Sequence, residues 1–187
     1  FAVVTDFGIN PVVIREIAKH PGDLKQIVKR ALGAKIFFTI LAVIGVFVAT
    51  YFLNYDELTT RLIWLTILVM LVDTTHLLFF GVLRGQQRLK YEAIGMFSGQ
   101  LVTSIFGALS LIYFPSLYFL VVALILGSTT NLMISTRNVV KQFGATVLIP
   151  SINKKEFIKL FKIALPFALA GIFTRVYSTV DTVLVSK

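Results

Sequence analysis

The side chains best equipped for chemistry are Asp6, Arg15, Glu16, Asp73, His76, Asn131, Arg175 and Asp181, and each interrupts a stretch that is otherwise apolar. A charge in hydrocarbon costs at least about 2.5 to 3.5 kcal/mol on insertion scales, so each needs a partner, a cavity or a function. Asp73 and His76 stand three apart, the spacing that puts two side chains on one helix face; Arg84 follows Asp73 by nearly three whole turns, on the same stripe. Thr74 and Thr75 lie between the pair, making this the most polar helix centre in the chain. A carboxylate beside an imidazole is suited to proton binding near neutral pH. A buried pair of this kind can also do no more than satisfy itself.

Arg175 lies about 18 Å from either end of its apolar run, so it must face protein or water. A guanidinium there could grip a phosphate, because its planar donors match two oxygens at once. It could equally pair with Asp6, Asp73 or Asp181. Arg15 sits near a helix end, where it can snorkel to the interface with Glu16. Pro11 and Pro166 each remove a backbone donor and should kink or weaken their helices. No enzyme constellation is present: there is no phosphate-binding glycine loop ending in Lys and Ser or Thr, no H-E-x-x-H and no G-x-S-x-G, and His20 and His76 are the two imidazoles available. No metal site or cofactor is expected, and catalysis by this chain is not.

The elements that must position these residues are membrane-spanning helices. A hydrocarbon core about 30 Å thick takes roughly 20 apolar residues, and runs of that order cover 36–53, 62–83, 93–114, 116–136 and 163–186. The opening segment, 1–18, predicts a sixth helix. Basic residues gather in alternate connections: Lys19, Lys25, Lys29, Arg30 and Lys35; then Arg84, Arg88 and Lys90; then Arg137, Lys141, Lys154, Lys155, Lys159 and Lys162. The intervening links carry only Arg61, against Asp56 and Glu57. The positive-inside rule therefore puts the loops 19–35, 84–92 and 137–162 in the cytoplasm of a cell-membrane protein. Gly95 and Gly99 form a G-x-x-x-G pair, a spacing that lets helices approach closely.

Composition agrees. Of 187 residues, 57% are hydrophobic and 14% charged, against about half and a quarter in soluble domains. The net charge of +9 is dispersed between apolar runs, whereas a nucleic-acid binder gathers it on one face. Nucleic acid is not an expected partner; membrane lipids are. With no cysteine there is no disulfide framework and no thiolate chemistry. Phe1 is not an initiator, so the chain is expected to lack its natural start.

Three passages resemble the polysaccharide flippase family, within the superfamily that also holds multidrug and toxic compound extrusion transporters. They are Asp6-Phe-Gly-Ile-Asn-Pro followed by Arg15-Glu16, then Gly81-Val-Leu-Arg84-Gly85-Gln-Gln-Arg88, and Ala164-Leu-Pro166-Phe167 followed by Val180-Asp181. The resemblance implies an all-α membrane bundle in which this chain supplies helices two to seven of twelve or more: 1–140 in an N-terminal bundle, 141–162 a basic linker, and 163–187 the first helix of a second bundle. It implies flipping of a lipid-linked oligosaccharide to the outer leaflet by alternating access, in a setting shared with glycosyltransferases and a polysaccharide polymerase. Arg15 and Arg175 would then hold the anionic head. Arg84, Gly85, Arg88 and Pro166 would serve the gating link, and Asp6, Glu16, Asp73, His76, Asn131 and Asp181 a buried polar network or coupling to H+ or Na+. A cation-coupled drug antiporter and a membrane scaffold for glycosyltransferases remain the alternatives.

Overall fold

The computed structural model describes residues 5–113, 115–151 and 153–185, with backbone alone at 154–156, 175–176 and 178–185. The described chain is all helical. Six α-helices follow in order: α1 Ile9–Lys19, α2 Leu24–Leu53, α3 Glu57–Gly85, α4 Leu89–Tyr113, α5 Leu117–Phe143 and α6 Lys154–Val185. Short 3-10 turns at Pro21–Asp23 and Ala145–Leu148 lead into α2 and follow α5. Five segments are long and apolar enough to cross a membrane: Pro21–Leu53, Glu57–Gly85, Leu89–Tyr113, Leu117–Phe143 and Phe157–Thr174. This is a multi-pass membrane protein.

The helices overrun the apolar segments that announced them. The segment 19–35, expected as a connection, is mostly helix, because α2 begins at Leu24; Lys25, Lys29, Arg30 and Lys35 all lie on it. Between α3 and α4 only three residues, Gln86, Gln87 and Arg88, are left as a link. Gln87 turns left-handed there (φ 57°), and the Arg88 N–H donates to the Leu83 carbonyl at 2.9 Å. Of the basic stretch 137–162, the part outside α-helix runs from Gly144, which turns α5 off at φ 85°, to Asn153. The Ser151 N–H donates to the Lys29 carbonyl at 2.9 Å and ties that linker to α2.

Local chemistry sets the ends. At the turn from α2 to α3, Asn54 takes a left-handed cap (φ 44°) and the Asp56 carboxylate accepts from the Thr59 N–H at 3.3 Å. Hydrogen bonding from Thr59, first from its side chain and then from its N–H, holds the Asp56 carboxyl below its ordinary value. Within the spans, several hydroxyls satisfy themselves on their own helix: Thr50 donates to the Val46 carbonyl, Ser98 to Ile94 and Thr130 to Leu126, each at 2.8 Å. Such back-bonding removes the cost of a hydroxyl in lipid.

The core lies toward the basic end, where Ile9, Val13 and Ile17 of α1 meet Leu78, Val82 and Leu83 of α3, with Val28 of α2, Val139 of α5 and Val147 beside them. Small residues make the seams. A Cβ on Gly81 would fall 2.0 Å from Asn10 Oδ1, and one on Gly85 3.0 Å from the Ile17 side chain, so α3 closes on α1 through these two glycines. The expected Gly95 and Gly99 pair is likewise a contact face, since added Cβ atoms would strike Phe80 and Asn131. Away from the basic end, near the turn that joins α2 to α3, the two helices line an apolar cleft of about 420 Å³ with Val46, Leu53, Tyr55, Ile63 and Met70. Tyr51, Phe52, Ile112 and Tyr113 stand exposed, as suits lipid-facing side chains.

Candidate functional site

The opening helix is not continuous. Thr5 and Asp6 are helical, but Phe7 (φ 37°) and Gly8 (φ 68°) turn left-handed before the chain resumes as α1. The uninterrupted helix expected over 1–18 is therefore corrected within its described part. The break occurs where α1 meets α6: a Cβ on Gly8 would lie 2.8 Å from the Ala164 carbonyl, the Ala168 nitrogen and Phe167 Cβ. Only glycine combines that conformation with that approach. Opposite, Pro166 lies inside α6 and cannot donate to the Lys162 carbonyl, so both partners lose regular helix bonding at the same level. The Phe7 ring stacks on Phe38 and Phe161, with centroids 4.5 and 5.1 Å apart, which holds the break in place.

Asp6 is thus delivered to the broken end of α1, and Lys35 of α2 reaches it. Lys35 Nζ donates to Asp6 Oδ1 at 3.3 Å. Lys35 is only 4% exposed. It was expected in a cytoplasmic loop, and its burial corrects that placement. The spans are drawn by apolar content, and a lysine at the edge of a run reads as a boundary; yet Ala31, Leu32, Gly33 and Ala34 precede it, so an apolar context on both sides was there to be seen. Its true partner is 29 positions away.

The expected pair on α3 forms: His76 Nδ1 faces Asp73 Oδ1 at 3.6 Å. The His76 side chain is buried, with its ring edge-on to Phe80 at 5.5 Å, whereas Asp73 is 42% exposed. Thr74 and Thr75 take no part, since both hydroxyls donate to the Leu71 carbonyl.

Arg84 does not join that stripe. Its guanidinium grips Glu92 of α4 at both oxygens, Nε to Oε2 at 3.0 Å, and the pair bridges the short α3–α4 link beside Gly85. Glu92 is buried, a role that sequence reasoning missed because it sits at the polar edge of a span. Arg88 is exposed. Arg15 is exposed on α1, while Glu16 lines a cleft of about 80 Å³ with Arg30, Lys159 and Ile163. Asn131 packs its amide against Gly99, with Oδ1 buried and unbonded. The side chains of Arg175 and Asp181 lie outside the described residues. No group of three or more metal-ligating side chains occurs among the described residues.

The arrangement therefore holds charge inside an apolar bundle at a helix break, and among the described residues it pairs no nucleophile with a base. A family model described as polysaccharide biosynthesis protein matches residues 1–187. No curated protein and no solved structure matches the chain.

Proposed function

The chain belongs to the polysaccharide biosynthesis protein family, and from that premise we propose that it forms part of a flippase carrying a lipid-linked oligosaccharide across the membrane by alternating access. The observation that carries the reading is the pair of Asp6 with the buried Lys35 at the broken end of α1, with His76 buried further along α3. Ionisable side chains placed inside a membrane bundle mark substrate or ion pathways, and discontinuous helices recur where transporters bind their cargo. A static anchor has no use for a helix broken against a proline-bearing neighbour. The cargo would present an anionic diphosphate beside a bulky sugar, which suits cationic groups lining the path; Arg15 and Arg175 are the candidates to meet it. The basic connections would face the cytoplasm, where the cargo is assembled.

The test is export. In cells whose only copy carries Lys35→Met at unchanged membrane abundance, surface polysaccharide should fall at least tenfold while lipid-linked precursor accumulates. Unchanged surface polysaccharide would sink the reading, and a change in drug tolerance alone would favour an antiporter. Purified protein that fails to move labelled lipid-linked sugar in liposomes, yet retains glycosyltransferases, would favour a scaffold.

A further inference from the structure

Several hydroxyls in the spans bond to their own helix, but α4 carries two polar side chains on its outer face that do not. Gln100 and Ser104 are exposed, and neither makes a side-chain hydrogen bond among the described residues. Gln100 lies about 16 Å from the first residue of α4 and about 20 Å from the last, so its amide reaches neither end of the helix. A carboxamide left unbonded in hydrocarbon is costly, and lipid tails offer it no partner.

The same face is shaped for another helix. Ala93, Phe97, Gln100, Ser104, Gly107 and Leu111 recur at alternating steps of four and three, the period of a seam between left-handed coiled helices. Gly107 has nothing within 4 Å of where its Cβ would stand, whereas Gly95 and Gly99, on another flank of α4, are already covered by Phe80 and Asn131. Beside the seam, Met96, Leu101 and Ile105 are each 49% exposed. That apolar surround suits lipid or protein and not a water-lined path. The described helix beyond the linker, α6, packs on α1 and α2, whereas α4 packs on α5 and α3, so α6 does not cover the seam.

A second copy of the chain does fit it. Copies of one sequence carry the same basic connections and enter the bilayer with one orientation. A two-fold axis along the membrane normal then sets α4 beside α4 in parallel, with Gln100 level with Gln100 of the other copy. A carboxamide both donates and accepts, so two of them at one depth complete each other.

We propose that the outer face of α4 is the contact surface of a homodimer, closed by hydrogen bonds between the two Gln100 amides and by close approach at Gly107. The proposal does not depend on what the protein carries, since a flippase, an antiporter or a scaffold would present the same seam.

The full-length protein tests it in membranes, with any cysteine outside residues 1–187 replaced; this chain supplies none. A disulfide needs Cα atoms within about 7 Å. Under mild oxidation Gly107→Cys should therefore give a linked dimer, while Ile105→Cys, exposed on another flank, should not. The reverse pattern overturns the surface. In liposomes of rising lipid-to-protein ratio, photobleaching of singly labelled protein should count two copies. Gln100→Leu should weaken the dimer roughly threefold to thirtyfold, the worth of an interhelical hydrogen bond in a membrane, and Gly107→Leu should weaken it by blocking close approach. One bleaching step at every ratio, or a dimer unchanged in either variant, overturns the proposal. So does a Gln100→Leu monomer that melts several degrees lower, because a helix of the same chain would then occupy the seam. Ready labelling of Gln100→Cys by a membrane-impermeant maleimide would open the face to water and overturn it as well.

Discussion

Replacing Lys35 by Met removes the ammonium that satisfies Asp6 in a largely apolar setting, so the single variant should lose more than the pair is worth. Breaking one side of an ion pair strands the other charge, whereas removing both sides does not. Lys35→Met should therefore lower the melting temperature in detergent, and Asp6→Asn in the same chain should recover part of the loss. The cycle should yield a coupling of about 0.5–3 kcal/mol; strict additivity would mean the contact is idle. Arg84→Ala should cost roughly 1–3 kcal/mol by stranding the buried Glu92, less than a fully buried pair because Arg84 is half exposed. Arg84→Lys should rescue little, since a point charge cannot match both oxygens. Asp56 carries a pH dependence of known sign. Its carboxyl titrates lower folded than unfolded, so its capping contribution is complete above the ordinary carboxylate value near 4 and is lost as pH falls through the lowered one. Amide exchange at Thr59 should quicken on that descent, and Asp56→Asn should remove the dependence.

At the scale of the helices, hydropathy reported immersion rather than extent. The expected runs 36–53 and 62–83 fall inside the observed helices and the other three overlap theirs, but α2 begins twelve residues before the apolar run at 36, and α5 continues past 136 to Phe143. Helix hydrogen bonds do not end where lipid ends, and long basic side chains let the helix project into the headgroups. The Asp73 and His76 pair was legible because helix periodicity is local; the Asp6 and Lys35 pair was not, because only tertiary packing brings them together. The break at Phe7–Gly8 was equally hidden, since glycines are common in membrane helices and most of those here serve packing. Gly8→Ala should be more damaging than an alanine elsewhere on α1: the left-handed conformation alone costs about 1–2 kcal/mol, before the collision with α6. Pro166→Ala should do the opposite for stability, restoring a helix bond and raising the melting temperature. If the break serves transport, export should fall in the same variant.

For the molecule as a whole, the described residues pack tightly near the basic end, while an apolar cleft lies between α2 and α3 near the turn that joins them. Lys35 stands immediately before the apolar run that opens at Ile36, so its bond to Asp6 sets the break ahead of α1 at the level where α2 enters that run. The interruption is a hinge at the doorway of the apolar layer, and the residues before it start beyond that doorway.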